Sequence, residues 1–255
     1  MPTERNPHIE IDEFFDQWRL YDAVIRHNYM THREIHAAIH GQLAKFDVSA
    51  GTLLDLGCGD ASQIARSVQN TPITSYIGVD LSGDALSLAR RNLEATDLEV
   101  QLHQRDLLTC LSGPDLPEID VLVAGFALHH LSPGEKQQFF LNAHRHLRPG
   151  GLLLLYDMFR QPQESRDTFL TRYLDHCRAH WDRLSSAQID QIAQHIMKFD
   201  FPETAETLQQ LAEDHGFSTE QALLFSDDRH GLWRFTAVTE VSGVKAGQKA
   251  DADER

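Results

Sequence analysis

Cysteine is scarce. Cys58, Cys110 and Cys177 are the three among 255 residues; they form no CxxC pair and too small a set for a disulfide framework. A reducing, cytoplasmic setting is the expectation. Positive charge is also short, with 23 Lys and Arg against 38 Asp and Glu and a formal net charge of −15. Phosphate backbones are held mainly by Lys and Arg, so nucleic acid is not an expected partner. No apolar run approaches the roughly 20 residues of a membrane helix. The longest, Leu152 to Tyr156, has the length of a strand, and no membrane association is expected. The opening MPTERNPHIE lacks the basic-then-apolar layout of a secretory signal. There is no internal repeat. Histidine, in contrast, is plentiful at 15 residues. Yet no HExxH stands in the chain, and the four-residue steps His32–His36 and His36–His40 read as a polar helix face. No metal site is expected.

What is present fits one substantial domain with additions: 41% hydrophobic residues can supply a core. Residues 1–8 are polar. From Ile11 to about Leu43 apolar residues recur at helical steps, through Phe14, Phe15, Trp18, Tyr21 and Val24 and then Ile35, Ile39 and Leu43. The rhythm then changes. Gly51 to Gly57 and Ser75 to Asp80 read as strands, as do Leu98 to Gln104, Ile119 to Gly125 and Leu152 to Tyr156. Between them Ala61 to Gln69, Asp84 to Ala95 (with Ser82 as N-cap) and Pro133 to His146 read as helices. The last stops at Arg148-Pro149-Gly150-Gly151. Such alternation predicts a parallel sheet covered on both faces. Residues 160–200 interrupt it with helices, Pro202 to His215 is a further helix, and Thr219 to Phe225 with Leu232 to Val238 form an antiparallel hairpin around Asp227-Asp228-Arg229-His230-Gly231.

The chemistry lies at the strand ends. Asp55-Leu56-Gly57-Cys58-Gly59 closes the first strand, and its glycines let a ligand approach main-chain atoms. A glycine turn alone also suits dinucleotide sites. Asp80 ends the second strand, where a carboxylate can accept from both hydroxyls of a ribose. Arg105-Asp106-Leu107 follows the third strand, where Asp106 can accept from an adenine amine and Leu107 can pack on the ring. A nicotinamide-binding turn wants Gly or Ala three residues after its second glycine, and Ser62 stands there.

Together with Val79-Asp80-Leu81-Ser82, Phe126-Ala127-Leu128-His129-His130-Leu131 and Leu147-Arg148-Pro149-Gly150-Gly151-Leu152, these segments resemble the class I S-adenosylmethionine-dependent methyltransferase family over residues 50–158. The resemblance implies an α/β, Rossmann-like, seven-stranded, mostly parallel sheet in the order 3-2-1-4-5-7-6, with strand 7 antiparallel. Its cofactor would be S-adenosylmethionine. Gly57, Cys58 and Gly59 would line the methionine portion and Asp55 would help hold its ammonium. Asp80 would take the ribose, Leu81 would pack near the adenine, Asp106 and Leu107 would clasp the ring, and Phe126 would close over it. Many members carry a third glycine where Asp60 stands.

The expected organisation is an N-terminal helical lid (1–48), a cofactor-binding core (49–159), a helical cap (160–200), a closing helix with hairpin (201–239) and a disordered tail (240–255). The expected reaction is in-line methyl transfer to a small molecule, with His129 and His130 as candidate proton acceptors. Tyr29 and His32 of the lid and His176, Trp181 and His195 of the cap are candidate substrate contacts. A homodimer surface is the other reading of the cap. The competing functions are an inactive cofactor-binding or regulatory subunit and a methyltransferase acting on protein or RNA.

Overall fold

A computed structural model describes residues 20–239. Its strands β1 (Gly51–Leu56), β2 (Ile73–Asp80), β3 (Glu99–Gln104), β4 (Ile119–Gly125), β5 (Leu147–Arg160), β6 (Glu203–Thr204), β7 (Phe217–Ser218), β8 (Leu223–Ser226) and β9 (His230–Ala237) form one sheet system. Its helices are α1 (His32–Leu43), α2 (Ile64–Ser67), α3 (Gly83–Leu93), α4 (Leu107–Ser112), α5 (Pro133–His146), α6 (Arg166–His180), α7 (Ser186–Phe199) and α8 (Ala205–Asp214). Residues 20–26 are also helical.

The main path of the sheet is β3-β2-β1-β4-β5-β9-β7, with β6 on β5 and β8 on β9. β1 pairs in parallel with both β2 and β4, and β9 runs antiparallel to β5. This is the order the resemblance implies, with β9 as the antiparallel seventh strand.

The central strands are apolar on both sides because both sides are covered. Every residue of β4 except Gly125 is buried. On one face Leu53, Val121, Val123 and Leu154 pack with Ile35, Ile39 and Leu43 of α1 and with Phe169, Tyr173 and Cys177 of α6. On the other, Leu54, Leu56, Leu122 and Leu155 pack with Phe139 and Phe140 of α5 and Leu208 of α8.

Local signals set the helix boundaries. The Ser82 hydroxyl accepts from the Ala85 amide, and Arg90 and Arg91 close the last turn of α3. α5 begins with a Ser132–Glu135 capping box and Pro at its first turn.

Two sequence expectations are corrected. The helix read over 61–69 shortens to α2, because Ala61 is left-handed at φ 53° and the Asp60 carboxylate takes the Ser62 amide, which postpones the helix. The strand read over Thr219–Phe225 starts later: a turn bonds Ala222 N–H to Thr219 O with Gln221 at φ 51°, leaving β8, while β7 precedes the turn. The two helical stretches read before Leu43 are separated at residues 27–31, where Asn28 and Thr31 take positive φ. Phe14, Phe15, Trp18 and the tail at 240–255 lie outside the described residues.

Candidate active site

Two cavities meet at the carboxyl ends of the parallel strands. The first is built on the turn after β1. Gly57 and Gly59 sit at φ 74° and 54°, a region that favours glycine. The Gly57 and Cys58 amides donate to Val79 O, which ties the turn to β2. Asp55, Gly57, Cys58, Gly59, Asp60, His32, His36 and Tyr156 line this space. The Gly59 N–H donates to Asp80 Oδ2 at 2.9 Å, and the Ser82 N–H donates to Asp80 Oδ1 at 2.9 Å.

Asp55 is 5% exposed. Burial pushes its carboxyl up to about 7; the hydrogen bond from Tyr76 Oη at 2.8 Å opposes the shift and the Asp80 charge adds to it. His32 is 2% exposed, and neither ring nitrogen has a partner among the described residues. Burial, then the nearby His36 and His230, holds its pKa down at about 3, so its ring is neutral and offers one donor and one acceptor.

The second cavity encloses about 270 Å³ and is walled by Val24, Met30, Met158, Ile192 and Ile196. Tyr21 lines both cavities and Phe126 the second. The His32 ring lies 5.1 Å from that of Phe126, so little more than this wall divides the two spaces.

One corner of the second cavity is polar. His129, His130, His195 and Asp200 all line it. His129 Nδ1 bonds Asp157 Oδ1, and the His129 amide donates to Asp157 Oδ2 at 3.0 Å. His129 Nε2 faces Asp200 Oδ2 at 3.8 Å, and His130 Nδ1 lies 3.2 Å from Asp200 Oδ1. Burial pulls the His129 pKa down, but Asp157 and Asp200 outweigh it and the net shift is upward. For Asp200 burial is likewise overcome, here by His130, His129 and His195, and its carboxyl is held below the ordinary range.

Backbone contacts fix Asp200 in this place. The Phe201 amide donates to His129 O, and Arg166 Nε donates to Asp200 O at 2.7 Å. Buried Lys136 bonds Phe201 O and pairs with Glu203 at 2.8 Å.

The other sequence-read residues fall in three places. Trp181 lines the second cavity, and its indole N–H has no partner among the described residues. Tyr29 stacks on Trp181 from outside, with ring centroids 5.0 Å apart; its hydroxyl donates to Asp182 and accepts from the Arg183 amide. His176 lines neither cavity and stacks on His180 at 4.2 Å. Direct substrate contact by Tyr29 or His176 therefore finds no support in this placement. His32, read as a substrate contact, lines the glycine-turn cavity. Asp106 and Leu107 stand outside both cavities; Asp106 caps α4 through the Thr109 amide. Leu81 is 69% exposed, an apolar side chain left open on the rim side of Asp80.

Tyr29 thus latches the segment after residues 20–26 to the loop after α6. Tyr29→Phe should lower stability by about 1 kcal/mol through loss of two hydroxyl bonds. Urea unfolding checks this, and an unchanged midpoint would remove the latch.

Sequence reasoning missed Asp157 and Asp200. Asp157 ends a buried apolar run, Leu152 to Tyr156, where a lone carboxylate asks for a partner. Asp200 carries no local signal, since what makes it a site residue is the fold bringing α7 to β4.

Comparisons with known proteins agree with the geometry. Residues 53–151 match a family model described as "Methyltransferase domain". The chain is similar to carboxy-S-adenosyl-L-methionine synthases. One, from Actinobacillus succinogenes, is 26% identical over 72% of this chain and 78% of its own length. Another, from Pseudomonas putida, is 27% identical over 85% and 88%. Among solved structures, the cyclopropane synthase MmaA2 of Mycobacterium tuberculosis aligns with a TM-score of 0.53 at 22% identity, over 72% of this chain and 60% of that one. An O-methyltransferase family protein of Burkholderia thailandensis reaches 0.60 at 17% identity, over 86% and 58%. This chain spans less than two thirds of the length of both structures, and at these identities they speak for the fold.

Proposed function

Since the chain carries a methyltransferase domain of the class I, S-adenosylmethionine-dependent type, we propose that it methylates a small, largely apolar acceptor whose one polar atom meets the His129–His130–Asp200 corner. The observation that carries this reading is the 270 Å³ apolar cavity sharing Tyr21 with the glycine-turn cavity. That volume is near the lower end of the roughly 300–1,000 Å³ typical of small-ligand pockets. It speaks for a compact acceptor and against a macromolecule.

The residues at the glycine turn fit the cofactor. Asp55 is a buried carboxylate that an ammonium would relieve. Gly57, Cys58 and Gly59 would lie along the methionine portion. Each Asp80 oxygen already accepts one amide and keeps a lone pair for a ribose hydroxyl. The free face of Leu81 and that of Leu107 would pack on the adenine, with the second Asp106 oxygen turned to its amine. When bound, S-adenosylmethionine supplies an electrophilic methyl group. The chain then has to hold an acceptor in line with it, which orientation alone can favour by roughly 7–11 kcal/mol. Phe126 would set the floor between the two ligands, and the unpartnered Trp181 N–H would orient the acceptor. His130, with 42% of its side chain exposed and Asp200 behind it, would take the acceptor's proton.

Neither cavity takes a Lys or Arg from the described residues. That argues against an acceptor carrying carboxylate or phosphate. It also argues against formation of the carboxylated cofactor that the relatives' name denotes, since a further carboxylate would want a cation there. In this reading the described part of the 1–48 segment, residues 20–48, is a lid, 49–159 the core, 160–200 a cap and 201–239 the closing helix and hairpin, with the Tyr29–Trp181 stack joining lid to cap. The free thiols at Cys58, Cys110 and Cys177 suit a reducing compartment.

Incubation of metabolite extracts with methyl-labelled cofactor tests the acceptor class. Label should enter the small-molecule fraction; label in protein or RNA, or none at all with cofactor affinity intact, rejects the proposal. With the acceptor in hand, His130→Ala should reduce turnover by roughly 100-fold while leaving cofactor affinity in place. Unchanged turnover would remove His130 from the acceptor's reach.

A further inference from the structure

We propose that the corner formed by His129, His130 and Asp200, with His195 beside it, binds a divalent first-row transition cation such as Zn²⁺. One ligand atom from each of the first three residues can be chosen so that all lie within 4.8 Å of one another. Tetrahedral Zn²⁺ at about 2.0–2.2 Å from N and O ligands sets neighbouring ligand atoms roughly 3.4 Å apart. The separations already present are close to that: 3.2 Å for His130 Nδ1 to Asp200 Oδ1, and 3.8 Å for both His129 Nε2 to Asp200 Oδ2 and His195 Nε2 to Asp200 Oδ1. Small side-chain rotations would close the set.

Three further observations point the same way. Asp157 binds His129 Nδ1, the carboxylate–imidazole support that metal-binding histidines use, and this leaves Nε2 directed at the corner. Asp200 is 1% exposed, and its Oδ1 has no aligned hydrogen bond among the described residues. A buried carboxylate oxygen left in that state is costly, and a cation would satisfy it. Finally, the bonds from Phe201, Arg166 and Lys136 hold Asp200 and His129 in fixed relation before any ligand arrives.

Mixed imidazole and carboxylate donors select a transition cation over Mg²⁺ or Ca²⁺, which prefer oxygen throughout. With His129, His130 and Asp200 as the three protein ligands, a fourth position faces the apolar cavity. With the cation bound, His130 is engaged as a ligand, and the cation in its place would hold the acceptor's oxygen or nitrogen and ease its deprotonation. That use rests on the acceptor reading above, whereas the binding itself does not. The competing description is an ion-pair cluster in which protonated imidazoles alone balance Asp200.

The experiment is equilibrium titration of the full chain, stripped with chelator, with Zn²⁺ and with Co²⁺, whose visible absorption reports coordination by nitrogen and oxygen. One equivalent should bind tightly. Asp200→Asn and His130→Ala should each weaken it about 100-fold while S-adenosylmethionine affinity, measured in parallel, shows that the fold persists. His176→Ala, which removes the His176–His180 stack away from both cavities, should change nothing. Absence of a tight site in the parent protein overturns the proposal. So does a site indifferent to Asp200→Asn and His130→Ala, or one abolished by His176→Ala. Loss of cofactor binding in the parent would instead refute the methyltransferase reading, so the two failures are separable.

Discussion

Asp80→Ala will lower the affinity for S-adenosylmethionine by about 100-fold, or roughly 3 kcal/mol. The carboxylate has about four lone-pair sites, and the Gly59 and Ser82 amides occupy two of them. Two remain, one on each oxygen, at the strand tip where a ribose would present its adjacent hydroxyls. Hydrogen bonds to a charged acceptor are worth about 1.5–3 kcal/mol each, and part of that is offset by desolvating the carboxylate. The alanine variant also frees the Gly59 amide, loosening the turn proposed to line the methionine portion. Asp80→Asn is therefore the better diagnostic. Its carbonyl can keep one backbone bond, while its amide cannot accept from a hydroxyl. It should bind more weakly than the parent and melt closer to it than the alanine variant does. Calorimetry from a parent affinity in the micromolar range, on the order of −8 kcal/mol, resolves both changes. If Asp80→Ala binds as the parent does, the ribose lies elsewhere and the glycine turn is only a turn.

The sequence carried this part of the site because its determinants are local. A glycine turn at a strand end, a carboxylate at the next strand end 21 residues beyond Gly59, and helix caps at Ser82 and Ser132 are all encoded within a few residues of where they act. Alternation predicted a parallel sheet covered on both faces and the hairpin an antiparallel pair, whereas the strand order came only from the family resemblance. The acceptor corner is different in kind. His129 and His130 were visible as a pair, but their partners Asp157 and Asp200 come from the end of β5 and from the segment after α7. No spacing rule links them. For the same reason, close spacing of metal ligands does not mark this cluster, and the closely spaced His32–His36–His40 series is spread among separate partners. His36 meets Ser67 and Tyr156, His40 meets the Ser67 carbonyl, and His32 faces Phe126. Tyr29 and His176 line neither cavity, and periodicity could not place them: a polar or aromatic residue on a lid or cap helix can face the ligand, the neighbouring segment or solvent.

Asp55→Asn should shift stability and cofactor binding in opposite directions, and both shifts should depend on pH. Burial holds the Asp55 carboxyl at about 7 against an ordinary 3.8. The folded state therefore holds this proton more tightly than the unfolded chain. Below the ordinary value both states are protonated and the group costs nothing. As pH rises from about 4 to 7 the unfolded chain ionises first, and stability falls until the folded carboxyl has ionised too. Each unit corresponds to about 1.36 kcal/mol; with relaxation around the site, a net cost on the order of 2 kcal/mol above neutrality is reasonable. Asparagine removes that cost and can still accept from Tyr76 Oη. Without cofactor the variant should melt roughly 4–8 °C above the parent at pH 8, with the gap closing as pH falls toward 4. With cofactor the order reverses in its effect. If the ionised carboxylate of the parent holds the ammonium as proposed, its affinity should rise between pH 6 and 8. The variant's affinity should stay flat over that interval and lie about 100-fold lower at pH 8, the worth of a buried charge-assisted bond. Melting curves at pH 5 and 8, with and without S-adenosylmethionine, read all four terms. A variant that melts below the parent at pH 8 would show that Asp55 is stabilised in its site by something other than Tyr76. One that binds the cofactor as tightly as the parent would place the ammonium away from β1.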